Sequence, residues 1–113
     1  MRGALSADGR YATNLRDQSD AAGRVRASVG LLAWAAESHG PAYLAVPWGP
    51  GHLVSLCGPG GCLTLVSTDA GPDLAMQRAG RVGDLAVGLW ERICAASRTM
   101  GLCPATVTVV GRG

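Results

Sequence analysis

Two cysteines bracketing a glycine-rich tetrapeptide constrain this chain more than any other feature: Cys57 and Cys62 enclose Gly58-Pro59-Gly60-Gly61. Leu53 to Cys57 and Leu63 to Thr68 are rich in Leu, Val and Thr and partly alternate, the period of half-buried strands. The glycines can supply the positive-φ positions that a hairpin loop needs. If the hairpin closes, Cys57 and Cys62 fall opposite each other. The second strand then runs into Thr68-Asp69-Ala70-Gly71-Pro72, expected to be an exposed turn with a carboxylate at its start. Asp69 is the first candidate for an active centre.

The remaining cysteines, Cys94 and Cys103, also bracket a turn. Neither pair shows the short gap and neighbouring His ligands of a zinc site, so no metal is expected. Disulfides Cys57–Cys62 and Cys94–Cys103 fit better, each contributing about 2–3 kcal/mol in the chain-entropy model. They imply an oxidising destination outside the cytoplasm. Four reduced, buried thiols are the alternative, because free Cys packs well in cores.

A chain of 113 residues fits one domain with a single core. No apolar run approaches 18 residues, which excludes a membrane-spanning helix. The opening MRGALSADGRYATN has no continuous apolar stretch, so no secretory signal is expected in this numbering. Export by another route, prior removal of a signal and an intracellular life all stay open. All ten basic residues are arginines, scattered through the chain, and the net charge is +2. That pattern lacks the basic stripe and aromatic partners of a nucleic-acid binder.

Residues 1–24 are polar with little periodicity and read as an arm or linker. Such a segment cannot bury enough apolar area to offset about 1–2 kcal/mol of backbone entropy per ordered residue. Contacts with other protein chains of an assembly are therefore its expected means of ordering. Residues 25–113 form the folded unit. Arg24 to Ala36 is apolar enough for a first strand or a short helix, and a strand is expected for Val25 to Leu31, because Arg24, Arg26 and Ser28 alternate with Val25, Ala27 and Val29. Glu37-Ser38-His39-Gly40-Pro41 breaks it, Ala42 to Val46 resumes extended structure, and Pro47-Trp48-Gly49-Pro50-Gly51 is a turn cluster with Trp48 as a packing lid. Asp73 to Arg81 reads as a loop. From Val82 to Ser97 the period becomes 3.6, with Leu85, Leu89 and Ile93 on one face. The principal helix is expected near 84–97, with Asp84 as its N-cap, Arg98 near its C-terminal end and Gly101 closing the region. Pro104 to Val110 is a final strand, with Cys103 just before it.

In this order the Pro47-Trp48-Gly49 turn, the hairpin, Thr68-Asp69-Ala70-Gly71-Pro72, Val82-Gly83-Asp84-Leu85-Ala86 and the closing VTV strand resemble the RlpA-like double-psi β-barrel domains. Relatives on that fold include expansins, barwin and barwin-like endoglucanases. The resemblance covers about residues 25–110 and is nearest to small Cys-containing versions from actinobacteria and their phages. It implies a mainly β fold: a six-stranded double-psi barrel with one principal α-helix, preceded here by the extended arm. It also implies a groove that receives a polysaccharide, peptidoglycan in the RlpA group, lined in this chain by Tyr43, Trp48, Asp69 and Asp84, with no cofactor. Active members are lytic transglycosylases, in which a carboxylic acid kept protonated donates to the glycosidic oxygen. Asp69 matches that acid.

The departures are as informative. Tyr43 stands where the family carries a His, Ala70 where it carries an Arg, and Glu37 is out of register with the upstream family Glu. His39 and His52 read as surface residues. Asp69 can equally serve as a turn cap through neighbouring amides. The expected function is therefore a non-catalytic, glycan-facing structural component of a phage virion or other extracytoplasmic assembly. A small peptidoglycan lytic transglycosylase using Asp69 is the alternative.

Overall fold

The computed structural model describes residues 5–6, 9–10 and 26–112. Strand β1 (Leu5–Ser6) pairs antiparallel with β2 (Gly9–Arg10). The rest of the 1–24 segment, and the partner contacts expected of it, lie outside the described residues. The chain is mainly β. Seven strands, β3 (Arg26–Ala35), β4 (Leu44–Val46), β5 (His52–Gly58), β6 (Gly61–Val66), β7 (Asp69–Ala70), β8 (Arg81–Ala86) and β9 (Leu102–Arg112), form one curled, half-barrel sheet. Its order is β6-β5-β9-β3-β8-β4-β7. Two helices, α1 (Leu74–Arg78) and α2 (Val87–Cys94), accompany it.

The two edge strands of this sheet, β6 and β7, are separated in the chain only by Ser67 and Thr68. The Ser67 amide donates to the His52 carbonyl at 2.8 Å, and the Thr68 amide donates to the Leu44 carbonyl at 2.8 Å. Ser67 is buried, and its hydroxyl donates to the Gly49 carbonyl at 2.7 Å. Residues 61–70 thus bond to β5 along their first half and to β4 along their second. The segment expected as a free turn at Asp69 is instead a short strand, paired in parallel through Ala45↔Asp69 and Val46↔Ala70. Its backbone groups find ladder partners on β4, and that decides its conformation.

The concave side of the sheet holds the core. Leu32, Leu44, Val46, Val54, Leu56, Leu85 and Val107 are fully buried there together with Trp90 of α2. The Trp90 indole N–H donates to the Leu32 carbonyl at 2.7 Å, which satisfies both groups in the core.

The hairpin follows expectation closely. Six rungs run from Leu53↔Val66 to Gly58↔Gly61, with Cys57 directly opposite Cys62. Its glycines serve two purposes. Gly61 has φ 130°, whereas Gly58 and Gly60 supply space. A Cβ on Gly60 would lie 2.5 Å from the Arg92 carbonyl oxygen, and one on Gly58 2.7 Å from that of Ile93. The Gly60 amide donates to the Ile93 carbonyl at 2.6 Å, so the hairpin tip docks on the C-terminal turn of α2. Both expected disulfides are present, Cys57–Cys62 and Cys94–Cys103. The second joins α2 to β9, and Cys103 lies inside that strand, not before it.

The helix boundaries depart from expectation. Asp84 is no N-cap: Val82 to Ala86 belong to β8, paired in parallel with β3 and antiparallel with β4. Leu85, Leu89 and Ile93 fit a 3.6 period, but sheet partners on both flanks claim Leu85 for a strand. Helix α2 starts only after Ala86, which makes no side-chain cap, and ends at Cys94 with Ala95 in the left-handed region. Gly101, at φ 80°, closes a separate 3-10 turn, Arg98–Met100. Arg98 pairs with Glu91 at 3.3 Å and Glu37 at 3.5 Å. The expected loop 73–81 contains α1, capped by Asp73, whose Oδ1 accepts the Met76 amide at 3.0 Å. A helix of five residues is too short to show a period.

Candidate functional site

Register places the candidate carboxylates on neighbouring strands. Ala33 of β3, Asp84 of β8, Ala45 of β4 and Asp69 of β7 form one row across the sheet. Because Leu44 and Val46 are fully buried in the core, strand alternation puts Ala45 on the opposite face, with the two aspartates beside it. The backbones of Asp69 and Asp84 lie two strand spacings apart, about 10 Å. Between them the floor is small: Ala45 carries only a methyl. Gly71 lies over it, at a position whose Cβ would be 3.3 Å from that methyl and 3.8 Å from Asp84 Oδ2.

Tyr43, just before β4, completes the corner. Its hydroxyl donates to Asp69 Oδ2 at 2.8 Å, and the Ala70 amide donates to Asp69 Oδ1 at 2.8 Å. Both carboxylate oxygens are thus engaged. The Tyr43 hydrogen bond first, then the Ala70 amide, hold the Asp69 carboxyl below its ordinary range. Burial, the hydrogen bond to Asp69 and the charges of Asp69 and Asp84 push Tyr43 up to about 12. His39, in a 3-10 turn, stacks on the Tyr43 ring with centroids 4.3 Å apart and planes at 25°.

Asp84 is the opposite case. It is half-buried, and loss of solvent raises its carboxyl above the ordinary range; Arg81 opposes the shift and Asp73 adds to it. The two carboxylates are therefore set apart in acidity by their surroundings. Asp69 is an ionised acceptor, and Asp84 holds a proton to higher pH. A general acid needs the second property, which the surroundings of Asp69 oppose and the burial of Asp84 favours.

Of the groove candidates, Tyr43, Asp69 and Asp84 come together at this corner. Trp48 is half-buried against the core, as a packing lid. His52 is half-buried as well, not a surface residue, and its Nε2 lies 3.2 Å from the Trp48 carbonyl oxygen. His39 is exposed as expected, yet it belongs to the site through its stacking on Tyr43. The sequence carried a signal for it: Gly40-Pro41 between the two rings turns the chain back on itself. Among the described residues, no group of three or more His, Cys, Asp or Glu side chains could hold a metal ion. No helix among them is long and apolar enough to cross a membrane. No protein-family model, curated protein or solved structure matches this chain.

Proposed function

We propose that this chain is an RlpA-like double-psi β-barrel serving as a non-catalytic, glycan-facing module of an extracytoplasmic assembly, a phage virion being one such setting. Two disulfides suit an oxidising compartment. The barrel reading is supported by residues 61–70: taken as one strand bonded to β5 and then to β4, they reduce seven strands to six and join the two edges of the sheet. Residues 1–24 are assigned to attachment to neighbouring chains, on their polar composition.

The observation that carries the non-catalytic reading is the Asp69 carboxylate, with one oxygen bonded to Tyr43 and the other to the Ala70 amide. A carboxylate so held is a weak proton donor at neutral pH. The test uses purified peptidoglycan, with and without its attached polymers. The protein is expected to sediment with the glycan and to release no anhydro-muropeptides. Failure to sediment with either preparation would remove the glycan-facing role. Release abolished by Asp69→Asn would make the chain an enzyme with Asp69 as its acid. A second enzymatic reading rests on the raised Asp84 carboxyl, and predicts release that Asp84→Asn abolishes and Asp69→Asn spares.

A further inference from the structure

The two disulfides occupy opposite environments. Cys94 and Cys103 are buried, with 4% and 3% of their surface exposed, inside the core cluster. Cys62 is exposed and Cys57 half-buried. Val54 and Leu56 face the core, so alternation sends Ser55 and Cys57 to the outer face of β5, and Cys62 lies directly across on β6. Thiol–disulfide exchange needs a thiolate to reach one sulfur, and access selects which bond reacts.

We propose that Cys57–Cys62 is a thiol–disulfide exchange site that takes a dithiol reductant as co-substrate, while Cys94–Cys103 stays closed as the structural bridge. The reductant thiolate attacks Cys62, the more exposed sulfur. The Cys57–Cys62 bond breaks as the new sulfur–sulfur bond forms, and the electron pair leaves on Cys57 Sγ, which takes a proton from solvent. The reductant's second thiolate then attacks its own sulfur in the mixed disulfide and expels Cys62, which is protonated in turn. Two electrons pass to the chain, and the reductant leaves as a disulfide. Ser55 Oγ lies 4.0 Å from Cys57 Sγ, where its hydroxyl can turn to the thiolate as charge develops. The hairpin is also held by its backbone rungs and by its dock on α2, so the fold is expected to survive the step.

The test treats the folded, fully oxidised chain with dithiothreitol, quenches samples with iodoacetamide and maps the labelled peptides. Labels at Cys57 and Cys62 are expected at least about tenfold faster than at Cys94 and Cys103. Glutathione in place of the dithiol is expected to trap its adduct on Cys62. Equal rates at the four cysteines, or labelling only in denaturant, would overturn the site. An adduct on Cys57 would overturn the direction of attack. Ser55→Ala is expected to slow labelling several-fold with an unchanged circular dichroism spectrum; an unchanged rate would remove Ser55 from the step.

Discussion

The Tyr43 hydroxyl hydrogen-bonds to Asp69, while burial and two neighbouring carboxylates oppose its ionisation. Tyr43 is raised in the folded state from 10.0 to about 12, so its contribution to stability is whole below pH 10 and is lost as pH rises toward 12. Tyr43→Phe is expected to remove that alkaline decline from urea unfolding curves collected across the window. The same change deletes the main cause of the Asp69 shift, so the Asp69 carboxyl should titrate closer to its ordinary value by carbon-detected NMR. An unmoved Asp69 titration would show that the hydrogen bond does not set its acidity. Asp84 is shifted opposite to Asp69 and in the same sense as Tyr43. Its raised folded-state value favours the protonated form, so the native state gains nothing from its ionisation and loses stability as pH climbs through it. Asp84→Asn should therefore raise the melting temperature at pH 7, with the gain vanishing below the ordinary value of 3.8. A lower melting temperature at pH 7 would mean that Arg81 outweighs burial there.

Elements differ in how plainly the sequence announces them, and the difference is physical. The hairpin was legible because its alternation, its turn residues and its paired cysteines all agree. Strand β9 was legible because β-branched residues fill it. By contrast, Leu85 satisfies a helical and a strand spacing at once, and only β3 and β4, distant in sequence, decide between them. Strand β7 was hidden for the same reason, being two residues held by β4. At the site, Tyr43, Trp48, Asp69 and Asp84 could be named as groove candidates through the resemblance, but the Tyr43–Asp69 hydrogen bond and the row linking Asp69, Ala45 and Asp84 depend on register that no local pattern encodes. Two substitutions probe how elements hold one another. Trp90→Ala is expected to cost about 3–5 kcal/mol in chemical denaturation, because it leaves a void beneath the sheet. Gly60→Ala pushes a methyl against the Arg92 carbonyl and is expected to cost about 1–3 kcal/mol by overpacking the hairpin tip. A neutral Gly60→Ala would mean that the tip does not bear on α2.

Across the whole molecule, stability is shared between one apolar core and two covalent bridges, one inside the hairpin and one that ties α2 to β9. Removing the buried bridge as Cys94→Ala with Cys103→Ala is expected to cost about 2–3 kcal/mol, measured under conditions that keep Cys57–Cys62 oxidised. No measurable loss would mean that the bridge adds nothing to the packing around it. The central pair of strands, β3 and β9, has one more consequence. They run antiparallel, with Arg26 opposite Val109 at one end of their ladder and Ala33 opposite Leu102 at the other. The chain therefore enters and leaves this domain side by side. Tension applied across Arg26 and Arg112 meets the β9 rungs to β5 at Arg112 and Gly111 and then the rung between Arg26 and Val109, one after another, as a zipper is drawn. Opening such a domain rung by rung is expected to need less force than shearing the whole ladder at once, which pulling between residues 26 and 112 in a force spectrometer would measure. Once open, it still withholds the chain closed by the Cys57–Cys62 and Cys94–Cys103 loops, and releasing the first of these with a reductant would lengthen the extended chain by a discrete step.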